Sequence, residues 1–300
     1  MEDRIITATA RDGSLAVAAG ITTELVREAR RRHDLAPTAS AALGRLLTAA
    51  ALLGATLRGQ EIVALQVAGD GPLGRLFAEA RLLADGALGV RGYVDRPHAD
   101  LPLNSRGKFD VGAAVGAGRL QVTRSSEVGN PYVGVVPLVS GEIGDDVAGY
   151  LAQSEQIPSV VAVGVLADPA GIRAAGGSIA QVMPSANESA IVALEMRAGS
   201  MEAVTRQIVA GAEPRVLAER LVGVGMLRAV VEYPVRFACR CSRAKVEAAL
   251  AGLGRDELAL MARERPQTEA TCEVCRERYV LTRADLAGLV DRLAAGDETT

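Results

Sequence analysis

Cys239-Arg240-Cys241 and, thirty residues on, Cys272-Glu273-Val274-Cys275 carry all four cysteines of the 300-residue chain. The 238 residues before them contain none. Cysteines used as small hydrophobes scatter through a core. Two tight pairs in one short segment signal a metal site or a disulfide framework. Zinc takes four tetrahedral thiolate or imidazole ligands. Residues i and i+2 of an extended segment face one side, so Cys239 and Cys241 can both address one ion. Cys272-x-x-Cys275 has the turn spacing that supplies the other two ligands. The intervening residues read as helix from Arg243, with Ser242 as N-cap. Leu258, Met261 and their neighbours form a small core there. A site of four thiolates needs no histidine. His33 and His98, the only two, lie far off in sequence and read as structural.

On spacing alone a purely structural zinc knuckle fits this segment as well as a reactive one. Two details favour reactivity. Cys-x-Cys is unusual in a zinc ribbon and places two thiols in a ring that is strained as a disulfide. Strained disulfides have higher potentials and tend to be regulatory. Arg240, Arg243, Arg276 and Arg278 surround the ligands. Their charge is expected to hold the sulfurs as thiolates, the form oxidants attack.

Working outward, the rest of the chain is acidic on balance, with net charge −3 and pI about 5.6. That opposes nucleic-acid binding, which calls for a basic excess. The run Arg30-Arg31-Arg32 closes a helix over Ile21–Arg32, where cations suit the dipole. Aromatics are 3% and Trp is absent, so Ala, Val and Leu must fill the core. Met1-Glu2-Asp3-Arg4 starts acidic, with no apolar run behind it, so no signal peptide is expected. The longest apolar run, Leu46–Leu57, is too short for a membrane span. A cytoplasmic protein follows, and paired cysteines in a reducing cytosol bind metal or do redox work.

Asp12-Gly13 joins Arg4–Ala10 and Ser14–Ala19 as a hairpin. Pro37–Leu57 reads as an Ala-rich helix. Ile62–Ala68, Ala87–Val94, Arg119–Thr123 and Tyr132–Leu138 read as strands. Ile143–Gln153 reads as a helix with Asp145-Asp146 on a solvated face, and Val160–Leu166 as a buried strand, with Gly176-Gly177 closing this part. Strands with interspersed helices and no βαβ rhythm predict an α+β fold. From Asn187 to about Val222 apolar residues recur at helical spacing, broken by Gly199, Gly211, Pro214 and Gly223. These are short helices joined by flexible turns, at the low-stability end of the molecule. No nucleophile elbow or phosphate loop is present, and Gly116-Ala117-Gly118 lacks the third glycine of a dinucleotide fingerprint. The chain reads as a non-enzyme with no catalytic residues.

Phe237-Ala238-Cys239-Arg240-Cys241-Ser242, followed by Cys272-Glu273-Val274-Cys275 and Tyr279, resembles the zinc signature of the bacterial 33 kDa chaperonin family, the redox-regulated heat-shock chaperones. Gly69-Asp70-Gly71-Pro72-Leu73-Gly74 also matches, as do Ser154-Glu155-Gln156-Ile157-Pro158 and Gly176-Gly177 ahead of Gln181-Val182-Met183-Pro184. These other motifs read as fold markers. One departure is Val274, where the family usually carries an aromatic; zinc ligation should survive it, while the packing behind the site can differ.

The resemblance implies an α/β core over 1–185, a helical metastable linker over 186–236 and a zinc-binding redox-switch domain over 237–300. It implies one zinc per chain on Cys239, Cys241, Cys272 and Cys275 in the reduced, inactive state. Oxidation to disulfides then releases zinc and unfolds the C-terminal part. The linker loosens and binds unfolding or oxidatively damaged clients without ATP, and the activated form is a homodimer. Four cysteines allow three connectivities. The expected one joins near neighbours, Cys239 with Cys241 and Cys272 with Cys275, with the least chain rearrangement. Neither nucleic acid nor membrane is an expected partner. The competing readings are a zinc-ribbon nucleic-acid module, opposed by the acidic balance, and a thiol oxidoreductase. The latter usually needs a βαβ context, whereas Cys272 and Cys275 fall in a strand-and-turn segment.

Overall fold

Leu15-Ala16-Val17-Ala18-Ala19-Gly20-Ile21 is almost wholly apolar because both faces of the strand it forms are covered. In the computed structural model, which describes residues 2–57, 59, 61–126, 130–168 and 170–297, this strand is β2. It pairs with β1 (Arg4–Ala10) through the expected hairpin. One face of β1 and β2 offers Ile5 and Ala18 to a long helix, α2 (Pro37–Gly54). The other face offers Ile6, Ala8, Val17, Ala19 and Ile21 to a second cluster. Alternation of side chains across a strand produces this division.

The chain divides into two compact bodies, residues 1–238 and 239–300. The first is built on a ten-stranded sheet. After β1 and β2 its strands are β3 (Ile62–Gly69), β4 (Arg75–Leu82), β5 (Leu88–Val94), β6 (Gly118–Ser125), β7 (Tyr132–Pro137), β8 (Ser159–Asp168), β9 (Gly171–Val182) and β10 (Leu227–Phe237). Their order is β7-β6-β3-β4-β5-β10-β1-β2-β9-β8. β10 is the central member. It runs antiparallel to β1 along most of its length and parallel to β5 through Val235, Arg236 and Phe237.

α2 starts with Pro37 at its first turn, where the missing N–H costs nothing. Nearly every residue of α2 is buried, and its alanines allow close approach to the sheet in a chain poor in aromatics. Gly44 is required for this fit, since a Cβ there would lie 2.7 Å from both Val26 and Val165. α1 (Thr23–His33) ends in the basic run, as the sequence predicts, and buries Leu25, Val26 and Ala29. Two shorter helices follow, α3 (Val111–Val115) and α4 (Gly144–Gln153).

The stretch from 186 to 236 contributes β10 and three helices, α5 (Glu188–Ser200), α6 (Val204–Val209) and α7 (Pro214–Val222). Leu194, Val204, Ile208, Leu217, Leu221 and Val222 pack on the second face of β1, β2 and β9. The predicted helical spacing is thus real; Gly211 and Gly223 fall between elements, Pro214 opens α7, and Gly199 lies in the last turn of α5.

Three expectations change. β8 is an edge strand, half-buried along most of its length, because nothing pairs beyond it. Gly176-Gly177 lies inside β9 and does not close a segment. A Cβ on Gly176 would meet Gly20 O at 2.5 Å, and one on Gly177 would meet Ala162 O at 2.6 Å. Asp146 is fully buried, not solvated. Its Oδ1 accepts the N–H groups of Val139, Ser140 and Gly141, and its Oδ2 accepts that of Ile143. Asp145 is exposed and accepts the Ser140 hydroxyl.

The second body holds α8 (Arg243–Ala251), α9 (Arg255–Glu264), the hairpin β11 (Gln267–Thr271) and β12 (Arg278–Thr282), and α10 (Arg283–Asp297). Its fully buried core is small: Leu258, Leu281, Leu286 and Leu289. Among the described residues no helix is long and apolar enough to cross a membrane.

Candidate metal centre

Ser242 caps α8 as its position predicts, accepting the Lys245 N–H at 3.2 Å. The cap fixes where extended chain ends, so Cys239 and Cys241 lie on the approach to the helix. The other two cysteines lie in the connection between β11 and β12. There Arg276 N–H donates to Cys272 O at 2.7 Å and Cys272 N–H to Glu277 O at 2.9 Å. Arg276 takes φ +60°, the left-handed value such a tight turn demands.

The four sulfurs lie within 4.8 Å of one another. Cys239 Sγ is 3.9 Å from Cys272 Sγ, and Cys241 Sγ is 3.3 Å from Cys275 Sγ. Both separations far exceed a disulfide bond of about 2.05 Å. Sulfurs at about 2.3 Å from a tetrahedral zinc stand roughly 3.8 Å apart. The donor set and its spacing therefore fit zinc. No histidine belongs to the cluster. His33 is buried in α1, and His98 is an exposed loop residue 4.0 Å from Asp34.

Cys275 is the most buried of the four, at 1% exposure, and the others are half-buried. Burial pushes the Cys241 thiol above its ordinary range, against the lowering pull of the Tyr279 hydroxyl. Burial also pushes up Cys275, and its sulfur neighbours add to the rise. Two of the four arginines expected to hold the thiolates are engaged elsewhere. Arg243 is engaged by Glu247 and Asp285 and donates to Val280 O, and Arg278 is paired with Glu269. Their charge is spent on carboxylates. A divalent cation would supply positive charge that turns these buried thiols into thiolates.

Tyr279, already part of the zinc signature that the sequence resembles, has a role at the site that cysteine spacing alone does not reveal. It stands on β12, directly after the Cys272–Cys275 turn, and its hydroxyl donates to Cys241 Sγ at 3.1 Å. That contact raises the phenol out of its usual range. The signal available in the sequence is a lone tyrosine four residues past the last cysteine. Val274 is half-buried beside the site.

The other motifs serve the first body. Asp70 Oδ1 accepts Ala117 N–H, and a Cβ on Gly71 would lie 2.4 Å from Ala114 O. Glu155 accepts the Tyr150 hydroxyl and pairs with Arg124. They are fold determinants, as expected.

Residues 3–282 match the family model described as Hsp33 protein. A 33 kDa chaperonin of Geobacillus kaustophilus is 44% identical over 96% of this chain and 98% of its own length. One from Staphylococcus carnosus is 43% identical over 98% and 99%. The crystal structure of a 33 kDa chaperonin, a heat shock protein 33 homologue, from Thermotoga maritima superposes with a TM-score of 0.88. It is 35% identical and covers 98% of this chain and all of that one.

Proposed function

The chain belongs to the Hsp33 protein family, which is one of chaperones and not of enzymes, and we propose that it works as a redox-switched, nucleotide-independent holdase. The observation that carries this reading is the tetrad of sulfurs within 4.8 Å of one another. Cys239, Cys241, Cys272 and Cys275 would hold one zinc ion, which supplies the charge that keeps four sulfurs deprotonated and crosslinks the small second body.

In the reduced state that body rests on four buried leucines and the tetrad. So small a core seldom folds without its metal. Oxidation joins two pairs of thiolates. As each S–S bond forms, its two thiolates release two electrons, and one hydrogen peroxide with two protons accepts them to form two waters. The reduced arrangement sets Cys239 against Cys272 and Cys241 against Cys275. The near-neighbour products Cys239–Cys241 and Cys272–Cys275 form once the tetrad has opened.

Loss of the tetrad unfolds residues 239–300. Within the adjoining linker, 186–236, α5–α7 loosen and uncover the second face of β1, β2 and β9 that they now cover, while β10 keeps its place in the sheet. That face is apolar at Ile6, Val17 and Ile21 and offers a surface for unfolded or oxidatively damaged clients. The active form is a homodimer in the cytoplasm.

One experiment tests the reading. Zinc content and client aggregation are measured on reduced and peroxide-treated protein without nucleotide. One zinc and no protection when reduced, then zinc release with protection when oxidised, is the expected result. Protection that ignores redox state would refute it.

A further inference from the structure

The C-terminal half of α1 and the β8–β9 corner line a cavity of about 630 Å³. Its charged lining residues are Arg27, Arg30, Arg31, Arg173 and Asp34. The helix-end role of the basic run accounts for the position of these cations along α1. It does not account for three guanidiniums of α1 meeting, across a concavity, a fourth from another element, Arg173 of β9.

Three of the four are held by carboxylates. Arg27 bonds Glu24 and also donates to Ile172 O at 2.8 Å. Arg31 takes Glu28 in a two-pronged contact, and Arg173 takes Asp168. Glu24, Glu28 and Asp168 do not line the cavity. Asp34 does, but it is almost wholly solvent-exposed and faces His98. Arg30 is half-buried, and its guanidinium makes no ion pair or hydrogen bond among the described residues. Gly171, at φ +136°, gives it room, since a Cβ there would lie 3.1 Å from Arg30 Nη1.

We infer that this cavity binds a compact polyvalent anion of the oligophosphate class, with Arg30 at its centre. Guanidinium groups recognise phosphate oxygens in pairs of parallel hydrogen bonds. A concave surface of one sign focuses its field and raises the local concentration of counter-charge. The volume lies in the range of small-ligand sites and exceeds what one phosphate fills. Among the described residues no aromatic side chain lines the cavity, so phosphate oxygens and not a base are its main target. The site is separate from the sulfur tetrad and does not depend on the holdase reading.

The test is calorimetric titration of the full, reduced chain with inorganic tripolyphosphate at low ionic strength. Saturable one-site binding is expected, tighter than for orthophosphate and weakened steeply by salt. Arg30→Gln should weaken it about tenfold or more, the worth of a charge-assisted contact. Arg30→Gln with Arg173→Gln should abolish it. Arg220→Gln, at an exposed arginine on α7, should leave it unchanged. ATP and GTP should compete equally, through their phosphates. Absence of saturable binding, equal loss in the Arg220 and Arg30 variants, or a preference for one base would each overturn the assignment. Arg30 makes no side-chain contact that folding needs, and an unchanged melting temperature of its variant verifies this.

Discussion

Tyr279 donates its hydroxyl to the sulfur of Cys241 across 3.1 Å. A donor beside a metal-binding thiolate fixes its orientation and spreads its charge, and such partners are worth about 10–100-fold in metal affinity. Tyr279→Phe should therefore weaken zinc binding by about tenfold in a chelator competition, with the first body unchanged. Equal affinity in the two proteins would show that the hydroxyl contributes nothing to the site.

Stripping zinc with a chelator under reducing conditions should unfold residues 239–300 and leave the sheet of the first body intact. Four buried leucines contribute about 1.5–3 kcal/mol each, which does not offset the entropy of ordering that segment. Hydrogen exchange reads this directly. Protection on α8–α10 should vanish on chelation while protection on α2 persists. Retained protection on α10 would mean that the leucines suffice alone.

Asp146→Ala should cost the first body about 3–5 kcal/mol, since four amide donors lose one acceptor group in a buried corner. Those bonds also hold Ile143 at φ +64°, a value a β-branched residue avoids. Asp145→Ala, one residue away and exposed, should change stability by less than about 1 kcal/mol. Urea unfolding of the two variants compares them, and similar losses would contradict the corner's role.

Asp3 takes the place of an N-cap for α1, accepting Leu25 N–H at 2.7 Å and Glu24 N–H at 3.1 Å. Burial nonetheless pushes its carboxyl from 3.8 up to about 6, against the pull of those amides. The folded state thus holds a proton that the unfolded state has released between these two pH values. Stability from this group is fully present below about 3.8 and is lost as pH rises to about 6. The loss is roughly 3 kcal/mol at about 1.4 kcal/mol per pH unit. Asp3→Asn should flatten this part of the pH profile. The readout is the difference in urea midpoint between wild type and variant, followed from about pH 4 to about 7. A constant difference across that range would exclude Asp3 as its source.

Much of the design was legible in the sequence because it is local. The hairpin at Asp12-Gly13, the Pro37 start of α2 and the Ser242 cap need only neighbours in the chain. What was hidden depends on distant partners. Gly176-Gly177 looks like a break until Gly20 O and Ala162 O stand beside it. Asp146 looks like a surface charge until the turn from Val139 to Ile143 folds over it. The arginines around the cysteines looked like their counter-charge, yet Asp285 and Glu269 claim two of them. Spacing reports which sulfurs can meet, whereas the partner each cation chooses is set by the tertiary fold.

The central place of β10 has a consequence for biosynthesis. The strand is made of residues 227–237, yet its neighbours are residues 4–10 and 88–94. A nascent chain emerging from the ribosome holds five strands on one side of the gap and four on the other, with no strand to pair them, until residue 237 has cleared the exit tunnel. Closure over so long a sequence separation is slow. Through most of its own synthesis the chain thus exposes two unpaired strand edges facing one missing strand, the same hazard it is proposed to relieve in others.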